Sequence, residues 1–372
     1  MGNKTTIKNW KTSAHEGLGC IIDRLDEIWL EIGGSCHLKC GYCFAESGGV
    51  DSSSDNVSIE RILDVIDEFS SFGGTRIGIV GAGEPFHKRN ITDLFNILGY
   101  NKSKDIFTTI FTTGDLLTDK VLDQLDDYQN IRLLVKYNSQ INAVQDKIVD
   151  SKGYTARRDD ALKRMINRGY NDGSRLGVVT TLLEESSKEF PNIFRYARDN
   201  NLIFDADTPI SRGRGKTCNL DAIEKIAKPV IEKLSQIDRE EYGNEWESHG
   251  TYIASPPCTR FNHHLYLDKK GGVHPCVASD QVVLGNVKQE SLAEIWEKDI
   301  TKIIRGHNYV GKCIDSCKNY EEKKCFSCDT RLTRELEEHA MEHGYGLERR
   351  YGLERGYGFK LFYASALPWK IS

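Results

Sequence analysis

No stretch of this chain approaches the about 18–20 consecutive apolar residues that cross a bilayer, which argues against a membrane-spanning helix. Residues 1–11 are polar and hold no apolar core of a secretory signal. Net charge is also small. Fifty Lys and Arg stand against 55 Asp and Glu, leaving −5, so neither a nucleic-acid groove nor a basic membrane surface is expected. Motifs for a zinc hydrolase or a Ser-His-Asp triad are missing. The glycines of 211–215 lack the Lys-Ser/Thr that would complete a phosphate loop. Cysteine, by contrast, is plentiful, with eleven in 372 residues. Without an export signal they are expected in a reducing cytoplasm, where clustered thiols are metal ligands rather than disulfides.

Three of them form the run Gly34-Ser35-Cys36-His37-Leu38-Lys39-Cys40-Gly41-Tyr42-Cys43-Phe44, a C-x3-C-x2-C spacing. Three thiolates on one short loop suit three irons of a cubane [4Fe-4S] cluster. The fourth iron then lacks a protein ligand and is open to a substrate.

Apolar, β-branched runs recur at 28–32, 76–80, 106–113, 131–138, 176–183 and 203–210. Between them lie helical stretches such as 58–69, 118–125, 159–168 and 190–200. Six strands alternating with helices predict a parallel α/β sheet, and periodicity alone leaves open sheet and barrel both possible. Residues 211–216, Ser-Arg-Gly-Arg-Gly-Lys, close this region as a basic turn or linker. Residues 221–237 read as a helix leaving it. The expected organisation is a lead-in at 1–24, a core at 25–216, a helical connector at 217–254, a cysteine-rich domain at 255–335 and a tail at 336–372.

The cysteine run resembles the signature of the radical S-adenosylmethionine (SAM) superfamily. Gly81-Ala82-Gly83-Glu84-Pro85, after the next apolar run, resembles the Gly-Glu-Pro motif of that family. The resemblance implies a partial (β/α)6 barrel with its active site at the C-terminal strand ends. It also implies that SAM chelates the open iron, and that one electron from the cluster splits the sulfonium to give a 5′-deoxyadenosyl radical that takes hydrogen from a substrate. A flavodoxin or ferredoxin would supply the electron. By the same resemblance Gly81, Gly83 and Glu84 hold the methionine amino group, Tyr42 lies against the adenine, and Lys136, Asn138 and Ser139 meet the ribose or carboxylate. Asp205 and Asp207 alternate on the sixth strand and share a face, as substrate contacts or as ordinary polar caps.

Cys258, Gly271 and Cys276 form C-x12-G-x4-C, which resembles the opening of a SPASM auxiliary-cluster domain. A turn at residues 269–272 would make the hairpin that brings the two cysteines together. Residues 284–287 and 291–296 resemble the family's connector. The run Cys313, Cys317, Cys325 and Cys328 departs from the family spacing, and no cysteine follows it, so His339 or His343 becomes a candidate for the last ligand. Two auxiliary clusters would divide as Cys258, Cys276 and Cys328 against Cys313, Cys317 and Cys325. A single auxiliary cluster, or a structural zinc on the last four cysteines, is the alternative. Cys20 and Cys218 stay unassigned.

Residues 344–358 repeat Tyr-Gly-Leu-Glu-Arg and read as a low-complexity tail, or as a mimic of a peptide substrate. SPASM-type relatives modify ribosomal peptides by cross-linking, epimerisation or dehydrogenation, and others act on sugars, aminocyclitols or nucleoside-like molecules. A peptide leads and a small molecule follows. A non-catalytic iron–sulfur or zinc scaffold is the third possibility.

Overall fold

Leu25, Ile28 and Leu30 are fully buried at the first strand, from which the sheet grows. The computed structural model describes residues 24–246, 262–278 and 282–306. In chain order the elements are β1 (Glu27–Leu30), α1 (Ile59–Ser71), β2 (Arg76–Ile79), α2 (Ile91–Ser103), β3 (Phe107–Thr112), α3 (Asp119–Leu125) and β4 (Ile131–Lys136). There follow α4 (Asn142–Val149), α5 (Tyr154–Asn167), β5 (Leu176–Thr181), α6 (Phe190–Asp199), β6 (Ile203–Asp207) and α7 (Leu220–Ile237). Then come β7 (His264–Leu267), β8 (Gly272–His274), β9 (Gly285–Asn286), α8 (Leu292–Glu297) and α9 (Asp299–Gly306).

All six expected strands form, in the order β6-β5-β4-β3-β2-β1, each parallel to the next. The result is an open (β/α)6 barrel, since the sheet places β6 at its edge and not beside β1. The helices cover the outer face. On α1, Ile62, Val65, Ile66 and Phe69 are buried, and Ser58 caps the helix by accepting from the Arg61 amide. Alternate residues point inward. Trp29 fills that space against Phe111, with ring centroids 5.5 Å apart. A Cβ on Gly78 of the neighbouring strand would collide with the Trp29 indole, so the small residue makes room for the large one.

The sheet does not stop at β1. β7 pairs parallel to it, with Glu27 beside His264 and Leu30 beside Leu267, and β8 and β9 follow antiparallel. The expected hairpin turn is present. The Asp268 carboxylate accepts from the Lys270 and Gly272 amides, and Gly271 takes a left-handed φ of 90°. The expected connector segments are β9 and α8, the latter closed by a Ser291–Glu294 capping box. The hairpin of the cysteine-dense region thus extends the barrel sheet. Among the described residues no helix is long and apolar enough to cross a membrane.

Candidate functional site

The chain leaves β1 and turns straight into the cysteine loop, which is held from four sides. Cys36 and Gly49 exchange backbone hydrogen bonds of 3.0 and 2.7 Å, closing the loop on itself. The amides of Lys39 and Gly41 donate to the last carbonyls of α4, Val149 and Ile148. Asn90 donates to the carbonyls of both Ser35 and Glu84, tying the loop to the one after β2. From the far end of the barrel, Arg214 donates through Nε to the Cys40 carbonyl at 2.8 Å.

Cys36, Cys40 and Cys43 lie within electrostatic reach of one another. Burial pushes the Cys36 and Cys40 thiols up to about 12, so a bound cation must replace their protons for them to act as thiolates. Lys136 and Arg214 are the positive charges that favour the Cys40 thiolate. Among the described residues no three His, Cys, Asp or Glu side chains are gathered for a single metal ion. A cubane does not ask for that, because each thiolate takes a different iron. Three soft donors on one loop fit a cluster and leave its fourth corner free.

The loop after β2 packs directly on this one. Gly81 and Gly83 take φ values of 101° and 80°, and a Cβ on Gly83 would overlap the Gly33 and Ser35 carbonyls. Its amide donates to Ser47 Oγ at 2.8 Å, and the Glu84 amide to the Ser35 carbonyl at 2.9 Å. The Glu84 side chain is buried. Oε1 accepts from Thr112 Oγ1 at 2.6 Å and from the Phe86 amide at 3.1 Å, while Oε2 accepts from the Thr113 amide at 2.7 Å. Burial raises its pKa despite these donors. Oε2 keeps a lone pair for one further donor.

Across the mouth, the Tyr42 ring lies 5.9 Å from Lys136 Nζ, and Lys136 pairs with Asp207 Oδ2 at 3.3 Å. Asn138 stands beside the Tyr42 phenol. Its Oδ1 accepts from the Thr181 amide, which leaves its buried amide nitrogen to face the phenol oxygen. Ser139 is occupied differently, because its hydroxyl donates to Glu189 Oε1 at 2.6 Å and fixes the turn after β4. Asp205 lies within charge reach of Arg132, farther down the strands.

Several residues of this site carry no sequence signal. His37 Nε2 sits 3.0 Å from both oxygens of Asp115, which also meets Arg157. Burial works against the charged imidazole, but the Asp115 hydrogen bond and charge outweigh it and raise the His37 pKa. Glu31 accepts from the Tyr266 hydroxyl, the Ala82 amide and the Lys269 amide, joining β1, the loop after β2 and the hairpin. Tyr154, Ser47 and Asn90 are likewise polar contacts made at long sequence distance.

In the second cysteine set, Cys276 follows β8 and its sulfur accepts from the Ala278 amide at 3.2 Å. Cys218 is half-buried and packs against the cysteine-loop cluster. Cys20, Cys258, Cys313, Cys317, Cys325 and Cys328, with His339, His343 and the 336–372 tail, lie outside the described residues.

Comparison with family models matches residues 30–197 to the Radical SAM superfamily and residues 258–329 to SPASM, an iron–sulfur cluster-binding domain. Among curated proteins, Fe-coproporphyrin III synthase of Methanosarcina barkeri is 25% identical over 43% of this chain and 37% of its own length. The sporulation killing factor maturation protein SkfB of Bacillus subtilis is 22% identical over 72% of this chain and 63% of its own length. The chain thus spans less than two thirds of either of these relatives. For the tungsten-containing aldehyde ferredoxin oxidoreductase cofactor-modifying protein of Pyrococcus furiosus the figures are 23%, 82% and 87%. Streptococcus suis SuiB bound to S-adenosylmethionine shares the fold with a TM-score of 0.62 at 18% identity, covering 80% of this chain and 71% of its own. The barrel and the cysteine-dense region each match their own family model: residues 30–197 belong to the radical SAM superfamily, which implies a [4Fe-4S] cluster and S-adenosylmethionine, and residues 258–329 to the SPASM domain, which implies auxiliary iron–sulfur clusters.

Proposed function

We propose that Cys36, Cys40 and Cys43 hold the SAM-binding cluster and that the enzyme modifies a ribosomally made peptide. The observation that carries the site is the packing of the three-thiol loop against the Gly81–Glu84 loop, with Asn90 bonded to both. When bound, the cluster supplies the electron that splits SAM into methionine and a 5′-deoxyadenosyl radical.

The chain's own residues do the positioning. Glu84 Oε2 and the turns at Gly81 and Gly83 receive the methionine ammonium. Tyr42 offers its ring to the adenine. Lys136 and Asn138 turn a charge and an amide toward the carboxylate and ribose, and Ser139 serves by fixing their turn through Glu189. Asp207, partnered by Lys136, is the acid placed to meet a substrate group at the mouth. Cys258, Cys276, Cys313, Cys317, Cys325 and Cys328 hold the auxiliary clusters. The domain limits that follow are 25–216 for the barrel, 217–254 for the connector and 255–335 for the SPASM domain.

The likeness to SkfB, a sporulation killing factor maturation protein, and to SuiB, whose structure holds its precursor peptide SuiA, supports a peptide substrate. Relatives named as GTP 3′,8-cyclase and AdoMet-dependent heme synthase support the second reading, a small molecule. A flavodoxin or ferredoxin is the expected electron donor.

Anaerobic reconstitution followed by chromatography for 5′-deoxyadenosine tests the chemistry. The native enzyme should form it, and a variant with Cys36, Cys40 and Cys43 all changed to Ala should not. Product from that variant would refute the assignment. A small precursor gene beside this one would favour the peptide, and sugar-biosynthesis genes the alternative.

A further inference from the structure

The basic glycine segment after β6 is a clasp on the cysteine loop. Residues 213–217 form one 3-10 turn. Arg214 donates its own amide to the Cys43 carbonyl at 3.0 Å, Nε to the Cys40 carbonyl at 2.8 Å, and Nη2 to the Ser47 carbonyl. Both flanking glycines are required by this approach. A Cβ on Gly213 would overlap the Cys43 and Phe44 carbonyls, and one on Gly215 would overlap Ile210 and crowd Tyr42. Arg214 therefore holds two of the three ligand cysteines, Cys43 through its backbone amide and Cys40 through its guanidinium, which also reaches the loop's return at Ser47. Next door, Arg212 donates to the Val277 carbonyl at 2.9 Å, one residue past Cys276.

We propose that Arg214 is a positioning residue that holds the cysteine loop in its cluster-binding shape and, by its fixed positive charge, raises the reduction potential of the cluster bound there. This rests on the assignment of Cys36, Cys40 and Cys43 as the ligands. Reduction adds a negative charge to the cluster. A cation fixed beside the loop stabilises that charge, as do hydrogen bonds around the ligands. The potential matters because the electron must pass from the cluster to SAM.

The test is potentiometric titration of the reconstituted full-length enzyme, followed by electron paramagnetic resonance. The SAM-binding cluster is identified as the signal that changes when SAM is added. Arg214→Gln should favour the oxidised cluster by about threefold to tenfold, about 30–60 mV at 59 mV per tenfold for one electron. Arg214→Lys should recover at least half of that shift. An unchanged midpoint in Arg214→Gln, at iron content equal to the native enzyme, overturns the proposal. So does equal loss of cluster from both variants, since the charge would then be irrelevant. Loss of cluster from Arg214→Gln alone, with retention in Arg214→Lys, upholds it. If the native enzyme itself gives no SAM-responsive signal, the ligand assignment fails instead.

Discussion

At the scale of single residues, glycine at 83 is demanded by backbone and by space together. Its φ is 80°, and the carbonyls of Gly33 and Ser35 fill the place of a side chain. Gly83→Ala should cost about 1–2 kcal/mol from the left-handed backbone alone. It should also push the loop after β2 off the cysteine loop. A lower urea midpoint together with lost SAM cleavage is the expected result, and an unchanged midpoint would contradict the packing described. Asp51 offers a pH test. Burial opposes its charge, but hydrogen bonds from Lys269, the Ser53 amide and Asn56 outweigh burial and pull its pKa from 3.8 to about 2. A depressed carboxylate stabilises the fold above its unfolded value of 3.8, and this is lost as pH falls through about 2. Asp51→Asn should therefore flatten the acid limb of stability over that window, by about 1 kcal/mol after solvent screening. Urea midpoints measured from pH 5 to pH 2 on both proteins check this. The cysteines and Glu84 were legible in the sequence because their signal is local spacing. Asn90, Asp115 and Arg214 were not, because each acts through a contact dozens of residues away.

At the scale of elements, the expected strands formed but stop earlier at their C-terminal ends. The run 131–138 yields Ile131–Lys136, and 203–210 yields Ile203–Asp207. Past those ends the apolar pattern continues while backbone groups turn to side chains. The Asn138 and Ser139 amides both donate to Gln145 Oε1. In the other direction, α5 begins at Tyr154 rather than 159, because the Asp146 carboxylate accepts from the Gly153 and Thr155 amides and caps it from the preceding helix. Arg158 of that helix is fully buried. Its guanidinium lies 3.7 Å from the Tyr137 ring centroid and donates to the Ser139 carbonyl and to Gln145. Arg158→Ala removes a buried charge-assisted network at the turn that presents Asn138. A loss of about 3 kcal/mol is expected. Denaturant unfolding reads the stability, and weaker SAM binding by calorimetry reads the loosened turn. The basic segment 211–216, expected as a turn or linker, does turn, but as a clasp, since only the barrel's curvature brings it over the cysteine loop.

At the scale of the whole molecule, the hairpin that opens the SPASM region is a further part of the barrel sheet. β7 hydrogen-bonds to β1 along Glu27–Leu30, and Tyr266 and Lys269 satisfy the buried Glu31. Removing everything after residue 246 would bare the β1 edge and leave that carboxylate without two of its donors. Residues 24–246 alone should be insoluble or associated by size-exclusion chromatography. A monomeric, cooperatively folding fragment would show that the hairpin is dispensable. The sequence by itself determined that Cys36, Cys40 and Cys43 share one loop after a strand and that strands and helices alternate, because these follow from spacing and period along the chain. The tertiary structure alone decided that β7 joins β1, that Ser139 is spent on Glu189, and that Arg214 grips the cysteine loop. Those outcomes are contacts between distant segments, chosen by which polar groups the packed barrel brings within bonding distance.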